Sequence, residues 1–197
     1  PAGAGKSHQS LRDISLLSSI PNMRIYHPYN HLEAKQILKH CINFEKNNSA
    51  IRLSIGPPPL NQINLPKNYK FISGEGSILK DGDDGIIFSY GQTMINQAFK
   101  ACKILEKQNI NLKLVNMPSI NSFSIKWLSE IVAKTKNIFF LEDHNVNGGL
   151  SDLMTSFLEN NKISNNASFT KFGLDEFPAC GTPEEVLKYH KLDEKSL

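Results

Sequence analysis

From Gly85 onward the chain alternates short apolar runs with amphipathic stretches, and this restricts its fold more than any other feature. Ile86-Ile87-Phe88-Ser89-Tyr90, Leu112-Lys113-Leu114-Val115 and Ile138-Phe139-Phe140-Leu141 read as strands: each is short and rich in branched or aromatic residues. Apolar spacing over residues 93–107, 124–135 and 149–160 predicts helices following them. Phe169 and Phe172 mark a last strand, and residues 183–189 a last helix. Strands that are apolar along their whole length must be covered on both sides. The expected fold class is therefore α/β, with mostly parallel sheets covered by helices.

The residues before Gly85 follow a different plan. Leu11, Ile14, Leu16, Leu17 and Ile20 form one helical apolar face, and Leu32, Ala34, Ile37, Leu38 and Cys41 another. Between them Met23-Arg24-Ile25-Tyr26 alternates as a brief strand, and Ala50-Ile51-Arg52-Leu53-Ser54-Ile55 forms a second. This segment lacks a beginning of its own and reads as the end of a domain. Gly56-Pro57-Pro58-Pro59 can be neither helix nor central strand, because proline fixes φ and lacks the amide donor. Polar, glycine-rich sequence continues through Asp81-Gly82-Asp83-Asp84. The expected organisation is a partial domain over 1–56, a linker over 57–84 and an α/β domain over 85–197.

Composition excludes several classes of function. The net charge is +3 and the lysines are scattered, so neither nucleic acid nor a membrane surface is an expected partner. No apolar run is long enough to span a bilayer, and no charged-then-apolar leader is present. Cys41, Cys102 and Cys180 lie far apart without CxxC spacing, which argues against disulfides or zinc and for a cytoplasmic location. The sequence opens on Pro1 rather than Met, which suggests that a natural N-terminus preceded it.

Among the local motifs, Pro1-Ala2-Gly3-Ala4-Gly5-Lys6-Ser7 is similar to the end of a Walker A loop, and Ile138-Phe139-Phe140-Leu141-Glu142-Asp143 to a Walker B strand. A P-loop nucleotide-binding protein is thus the alternative reading. Gly82-Asp83-Asp84-Gly85 reads as a turn, and His27 and His31 lack a third metal ligand. Gly148-Gly149 opens a helix whose free amides could cradle an anion. Glu142, Asp143 and His144 lie at a strand's C-terminal end, where α/β ligand sites usually form; Arg52 is a secondary candidate.

A larger set of residues points elsewhere. Gly5-Lys6-Ser7-His8-Gln9-Ser10-Leu11-Arg12-Asp13-Ile14, then Ile20-Pro21-Asn22-Met23, then His27-Pro28, resembles the pyrimidine-binding domain of the transketolase family. Ser89-Tyr90-Gly91, Val115-Asn116-Met117-Pro118-Ser119 and Glu142-Asp143-His144-Asn145-Val146-Asn147-Gly148-Gly149-Leu150 resemble that family's C-terminal domain, as does Gly181-Thr182-Pro183-Glu184-Glu185. The resemblance implies the C-terminal part or subunit of a thiamine-diphosphate-dependent enzyme that transfers a two-carbon ketol unit or performs a related carboligation. By the same resemblance His8 is catalytic, and Ser7, His8 and Gln9 contact a sugar or sugar-phosphate substrate. An imidazole suits that work because its pKa lies near neutrality. Thiamine diphosphate and Mg are expected to be held mainly by regions outside this chain, in an N-terminal half or subunit. A homodimer or heterotetramer is expected.

The sequence departs from the family pattern at two positions. Many transketolases carry Asp where this chain has Ala4, and a phosphate-holding arginine where it has Ile55. Without that guanidinium, bidentate phosphate binding at this spot is lost.

Overall fold

The computed structural model describes residues 10–54, 63–164 and 166–197. Central strands buried on both faces build the larger of its two sheets. Five strands lie in the order β3-β5-β4-β6-β7: β3 (Ser77–Lys80), β4 (Gly85–Ser89), β5 (Leu112–Asn116), β6 (Asn137–Asn145) and β7 (Ser168–Leu174). All neighbouring pairs are parallel except β3 with β5, which is antiparallel. Successive strand residues point to opposite faces, so Ile86 and Phe88 enter one core while Ile87 enters the other. Helices α4 (Ile125–Val132) and α5 (Leu150–Asn160) cover the first core through Leu128, Val132, Leu150, Met154 and Leu158. Helix α3 (Gln92–Glu106) covers the second through Met94, Ile95, Ala98 and Cys102. The expected α/β class, mostly parallel and helix-covered, is what forms.

The stretch expected as linker contributes strand β3. Its four residues form an edge with a register irregularity between Ile78 and Lys80. So short a strand in polar sequence gives almost no period-2 signal. Strand β6 runs further than expected, through Asn145, because Asn145 still pairs with Leu174 of β7 after a local shift in register.

The N-terminal region holds α1 (Asp13–Ser18), β1 (Met23–Tyr26), α2 (His31–Asn43) and β2 (Asn48–Ile51). Strands β1 and β2 form a separate parallel pair. Two strands alone are marginal in water, so this pair must lean on something else. It leans on the larger unit. Ile14 of α1 and Ile25 of β1 are fully buried in the first core beside Phe140 and Met154. Burying each is worth about 1.5–3 kcal/mol. The free edge of β1 is held by the segment after β5. The His27 amide donates to the Pro118 carbonyl (2.9 Å), the Ile120 amide to the Ile25 carbonyl (2.9 Å), and the Ile25 amide to Asn121 Oδ1 (2.9 Å). Helix α6 (Pro183–Tyr189) lies near the end of the chain, started by a capping box between Thr182 and Glu185.

Candidate functional site

The N-terminal region meets the C-terminal end of β6 in a cluster of charged groups. Asp13 is the first residue of α1, His27 follows β1, Arg52 follows β2, and Asp143 and His144 lie in the last half of β6. The Arg52 guanidinium bridges them: Nε donates to Asp13 Oδ2 (2.6 Å), and a terminal nitrogen donates to Asp143 Oδ1 (2.5 Å). That nitrogen also lies 3.0 Å from His27 Nδ1. Because a guanidinium only donates, His27 Nδ1 must accept, and its proton sits on Nε2, 3.2 Å from Ser54 Oγ. The neighbouring imidazole is fixed by the same logic. His144 Nδ1 lies 2.8 Å from the Asn145 carbonyl and so carries the proton. Its Nε2 faces Ser15 Oγ (3.5 Å) and Asp13 Oδ1 (4.0 Å), an oxygen that is buried with no hydrogen-bond partner.

Burial sets the electrostatics here. It pushes the His27 imidazole from 6.5 down to about 4; Asp143 acts against that shift and Arg52 reinforces it. His144 is also lowered, chiefly by burial. Burial alone would raise the Asp143 carboxyl, but the charge and hydrogen bond of Arg52 and the two imidazoles together outweigh it, and the net displacement is downward. A depressed imidazole releases its proton on folding, so between pH 4 and 6.5 the unfolded chain binds more protons and stability rises with pH. The depressed Asp143 acts in the same direction at lower pH. The His27 share of stability, read by urea unfolding as the difference between wild type and a variant without the imidazole, is therefore expected to be fully present above pH 6.5 and to decline toward pH 4, while the raised carboxyls of Glu33 and Glu142 act in the opposite sense. Moving one imidazole from 6.5 to about 4 is worth about 3 kcal/mol. His27→Asn retains an acceptor for Arg52 but cannot titrate, so it should flatten this decline; an unaltered slope in that variant would contradict the assignment.

Two buried carboxylates organise the surroundings. Glu142 accepts from the Leu150 amide (2.8 Å), the Ser151 amide (3.2 Å), Ser151 Oγ (2.6 Å) and the Tyr90 hydroxyl (3.4 Å). Burial raises its carboxyl, while Ser151 and the α5 amides oppose the rise. Glu142 thus does the work of an N-cap for α5, since Gly149 has no side chain to do so. A Cβ at Gly149 would lie 2.0 Å from Glu142 Oε2, which explains the glycine. Glu33 of α2 accepts from the Tyr29 amide (2.6 Å), Asn116 Nδ2 (2.9 Å) and the Tyr69 hydroxyl. It thereby joins α2 to β5 and to the chain before β3. Gly91, at φ 68°, packs against His27, and a Cβ there would come within 2.7 Å of the ring.

Ser7, His8 and Gln9, and both departures at Ala4 and Ile55, lie outside the described residues. The structure does bring Arg52 together with Glu142's neighbours, Asp143 and His144. Gly148 and Gly149 spend their free surroundings on the protein itself: the Gly148 amide donates to Asp152 Oδ2 (2.6 Å), and Gly149 packs on Glu142. The Walker B reading fails on geometry. Glu142 is engaged by α5 and Asp143 by Arg52, so neither carboxylate is left for a nucleotide-bound cation. Among the described residues no group of His, Cys, Asp and Glu side chains could hold a metal ion. No helix among them is long and apolar enough to cross a membrane.

The chain belongs to the transketolase family: residues 74–197 match the family's C-terminal domain and residues 1–56 its pyrimidine binding domain. It is 29% identical over 98% of its length to a putative transketolase C-terminal section of Methanocaldococcus jannaschii, covering 59% of that protein. It is 23% identical over 93% of its length to an apulose-4-phosphate transketolase subunit of Phocaeicola vulgatus, covering 62% of it. A 1-deoxy-D-xylulose-5-phosphate synthase of Clostridium tetani is 27% identical over 98% of this chain, which covers 30% of that enzyme. Among solved structures, a split gene transketolase described as an inactive tetramer superposes with a TM-score of 0.85 at 27% identity, over 98% of this chain and 61% of that one. The chain therefore spans at most about three fifths of these relatives. Both pieces of the P-loop reading fall inside the matched domains, and that alternative is set aside.

Proposed function

We propose that this chain is the C-terminal part or subunit of a thiamine-diphosphate-dependent enzyme that transfers a two-carbon ketol unit, or performs a related carboligation, together with an N-terminal half. The observation that carries this reading is the order of the two domain matches along nearly the whole chain, with the relatives extending beyond it. The surface supports a missing half. Leu16, Leu32, Leu38, Ile42, Phe44 and Leu53 of the N-terminal region are each more than half exposed, although the region has so small a sheet of its own. Exposed apolar side chains on this region accord with a seat for the N-terminal half.

The proposed division is a partial pyrimidine-binding domain over 1–56, a connection over 57–84 and the C-terminal domain over 85–197. Mg and the diphosphate are assigned to the N-terminal half. When bound, thiamine diphosphate supplies the nucleophilic carbon for a ketose carbonyl. This chain supplies His8, whose imidazole donates to the carbonyl oxygen and takes back a proton, with Ser7 and Gln9 beside it on the sugar. Ile55 offers no guanidinium for an acceptor phosphate, so a phosphorylated acceptor must be held by other groups. The relatives' names include an apulose-4-phosphate transketolase subunit and a 1-deoxy-D-xylulose-5-phosphate synthase, which supports a sugar or sugar phosphate as substrate. A cytoplasmic setting accords with three free cysteines. A homodimer or heterotetramer would complete a site shared between chains.

Titration calorimetry on the chain assembled with its N-terminal half tests the reading. Thiamine diphosphate with Mg²⁺ is expected to bind, and ATP with Mg²⁺ is not. Binding of ATP without thiamine diphosphate would overturn it.

A further inference from the structure

Strands β1 and β2 make a sheet of two, and each has an outer edge. The edge of β1 is taken by the chain at residues 118–121. The edge of β2 is open. The Arg52 amide donates to the Tyr26 carbonyl (2.8 Å) and so points toward β1, and backbone groups alternate in direction along a strand. The amides and carbonyls of Ser49 and Ile51 therefore point outward, away from β1. Among the described residues β2 pairs with β1 alone, and no other backbone hydrogen bond reaches Ser49 or Ile51. Such a row of outward groups is a template for another strand.

Helix α2 overhangs this edge. On one of its flanks Glu33, Gln36 and His40 face Tyr69 and Phe71. Ala34, Leu38, Cys41 and Ile42 lie on the opposite flank. Cys41 meets the Ser49 side chain, so this second flank passes over β2. Leu38 and Ile42 stand about 60° and about 100° further round the helix than Cys41, and they are 52% and 72% exposed. The Ser49 and Ile51 side chains share the face that α2 covers, because Tyr26, opposite Ile51, packs against His40. A strand laid beside β2 would thus bring its own side chains under Leu38 and Ile42. That gives two apolar residues on a solvent-facing flank a reason, since strands of a parallel sheet are covered on both faces.

We propose that a strand of the N-terminal half pairs with the outer edge of β2, beneath Leu38 and Ile42, so that one sheet runs across the boundary between the two halves. The occupant is a strand because β2 offers backbone donors and acceptors in register as well as apolar side chains. It belongs to the N-terminal half because this chain covers only 59% of one relative and 61% of another, and its match to the pyrimidine binding domain contains a sheet of just two strands. A pair of strands is marginal in water, and a third adds both hydrogen bonds and buried surface. The inference rests on the proposed assembly of this chain with that half.

The test uses the complex of this chain with its N-terminal half. Residue-resolved hydrogen exchange by NMR reads the edge directly. The outward amides of Ser49 and Ile51 are expected to exchange within about tenfold of those of Ala50 and Arg52, which point to β1. Exchange more than about a hundredfold faster at Ser49 and Ile51 overturns the pairing. Ser49→Pro removes one outward donor and is tolerated on a free edge, so this chain keeps its fold while affinity for the N-terminal half falls about tenfold or more. Ile42→Lys, at an exposed position, serves where the proline variant does not fold, and should also weaken binding by about tenfold. Unchanged affinity in every variant that folds overturns the proposal. Slow exchange of the two amides in this chain without the other half would mean that the edge is filled otherwise, as by a second copy, and overturns it too. If the halves associate and transfer a two-carbon unit while Ser49 and Ile51 exchange freely, the pairing falls and the functional reading stands. If the wild-type halves do not associate, both fall.

Discussion

Replacing Glu142 with alanine is expected to destabilise the chain by about 3–5 kcal/mol, as breaking a buried charged network does. Glu142 is 1% exposed and collects hydrogen bonds from two α5 amides, the Ser151 hydroxyl and the Tyr90 hydroxyl. Alanine strips the acceptor from every one of them and opens a void beside Gly149. Each donor left buried without a partner costs about 1–3 kcal/mol. No neighbouring side chain substitutes, because the N-cap position is glycine and makes no side-chain bond. Helix α5 then loses its start, and with it the seating of Leu150 and Met154 in the first core. In a domain of this size such a loss lowers Tm by about 10 °C or more. Glu142→Gln keeps one acceptor oxygen and should cost about 1–2 kcal/mol. Thermal and urea unfolding check both variants. A loss below about 1 kcal/mol for the alanine variant would mean that the start of α5 is served by water rather than by this carboxylate.

The second large effect concerns rate. His8→Ala in the assembled enzyme is expected to lower kcat by about a hundredfold to ten-thousandfold, the usual contribution of a positioned acid–base group. Affinity for thiamine diphosphate should change little, since the cofactor is assigned mainly to the other half. His8→Gln, which can still donate a hydrogen bond but cannot shuttle a proton near neutrality, should fall between alanine and wild type. A kcat within about twofold of wild type for His8→Ala would remove the histidine from the site.

Much of the fold was legible because its period survives in the residues. Ile86, Ile87 and Phe88 alternate between two cores, and the three main strands with their helices stand where the apolar runs predict. Strand β3 was not legible: Ser77–Lys80 is short, bulged and set in polar sequence, and only its pairing with β5 makes it a strand. The extension of β6 was hidden because its last residues are polar and owe their conformation to β7.

The charged cluster was harder still. Arg52 lies 39 residues from Asp13 and 91 from Asp143, and local sequence carries no record of such pairings. One signal was available. Asp143 and His144 sit at a strand's C-terminal end, where α/β ligand sites form, but the family resemblance turned the reading of them to structural or interface residues. Arg52 offered less, as a lone cation inside a short alternating run. Glu33 was missed because its position inside an amphipathic helix suggests a solvated face. Its burial comes from Asn116 and Tyr69, neither of them near it in sequence.

The central claim is most directly tested by measuring two-carbon transfer with this chain, the N-terminal half, and the two together. A ketose donor and aldose acceptors with and without phosphate would be offered, in the presence of thiamine diphosphate and Mg²⁺. The expected result is transfer by the combined halves alone, abolished when thiamine diphosphate is omitted. Transfer by this chain without the other half, or no transfer by the combined halves with any donor and acceptor pair, would contradict it.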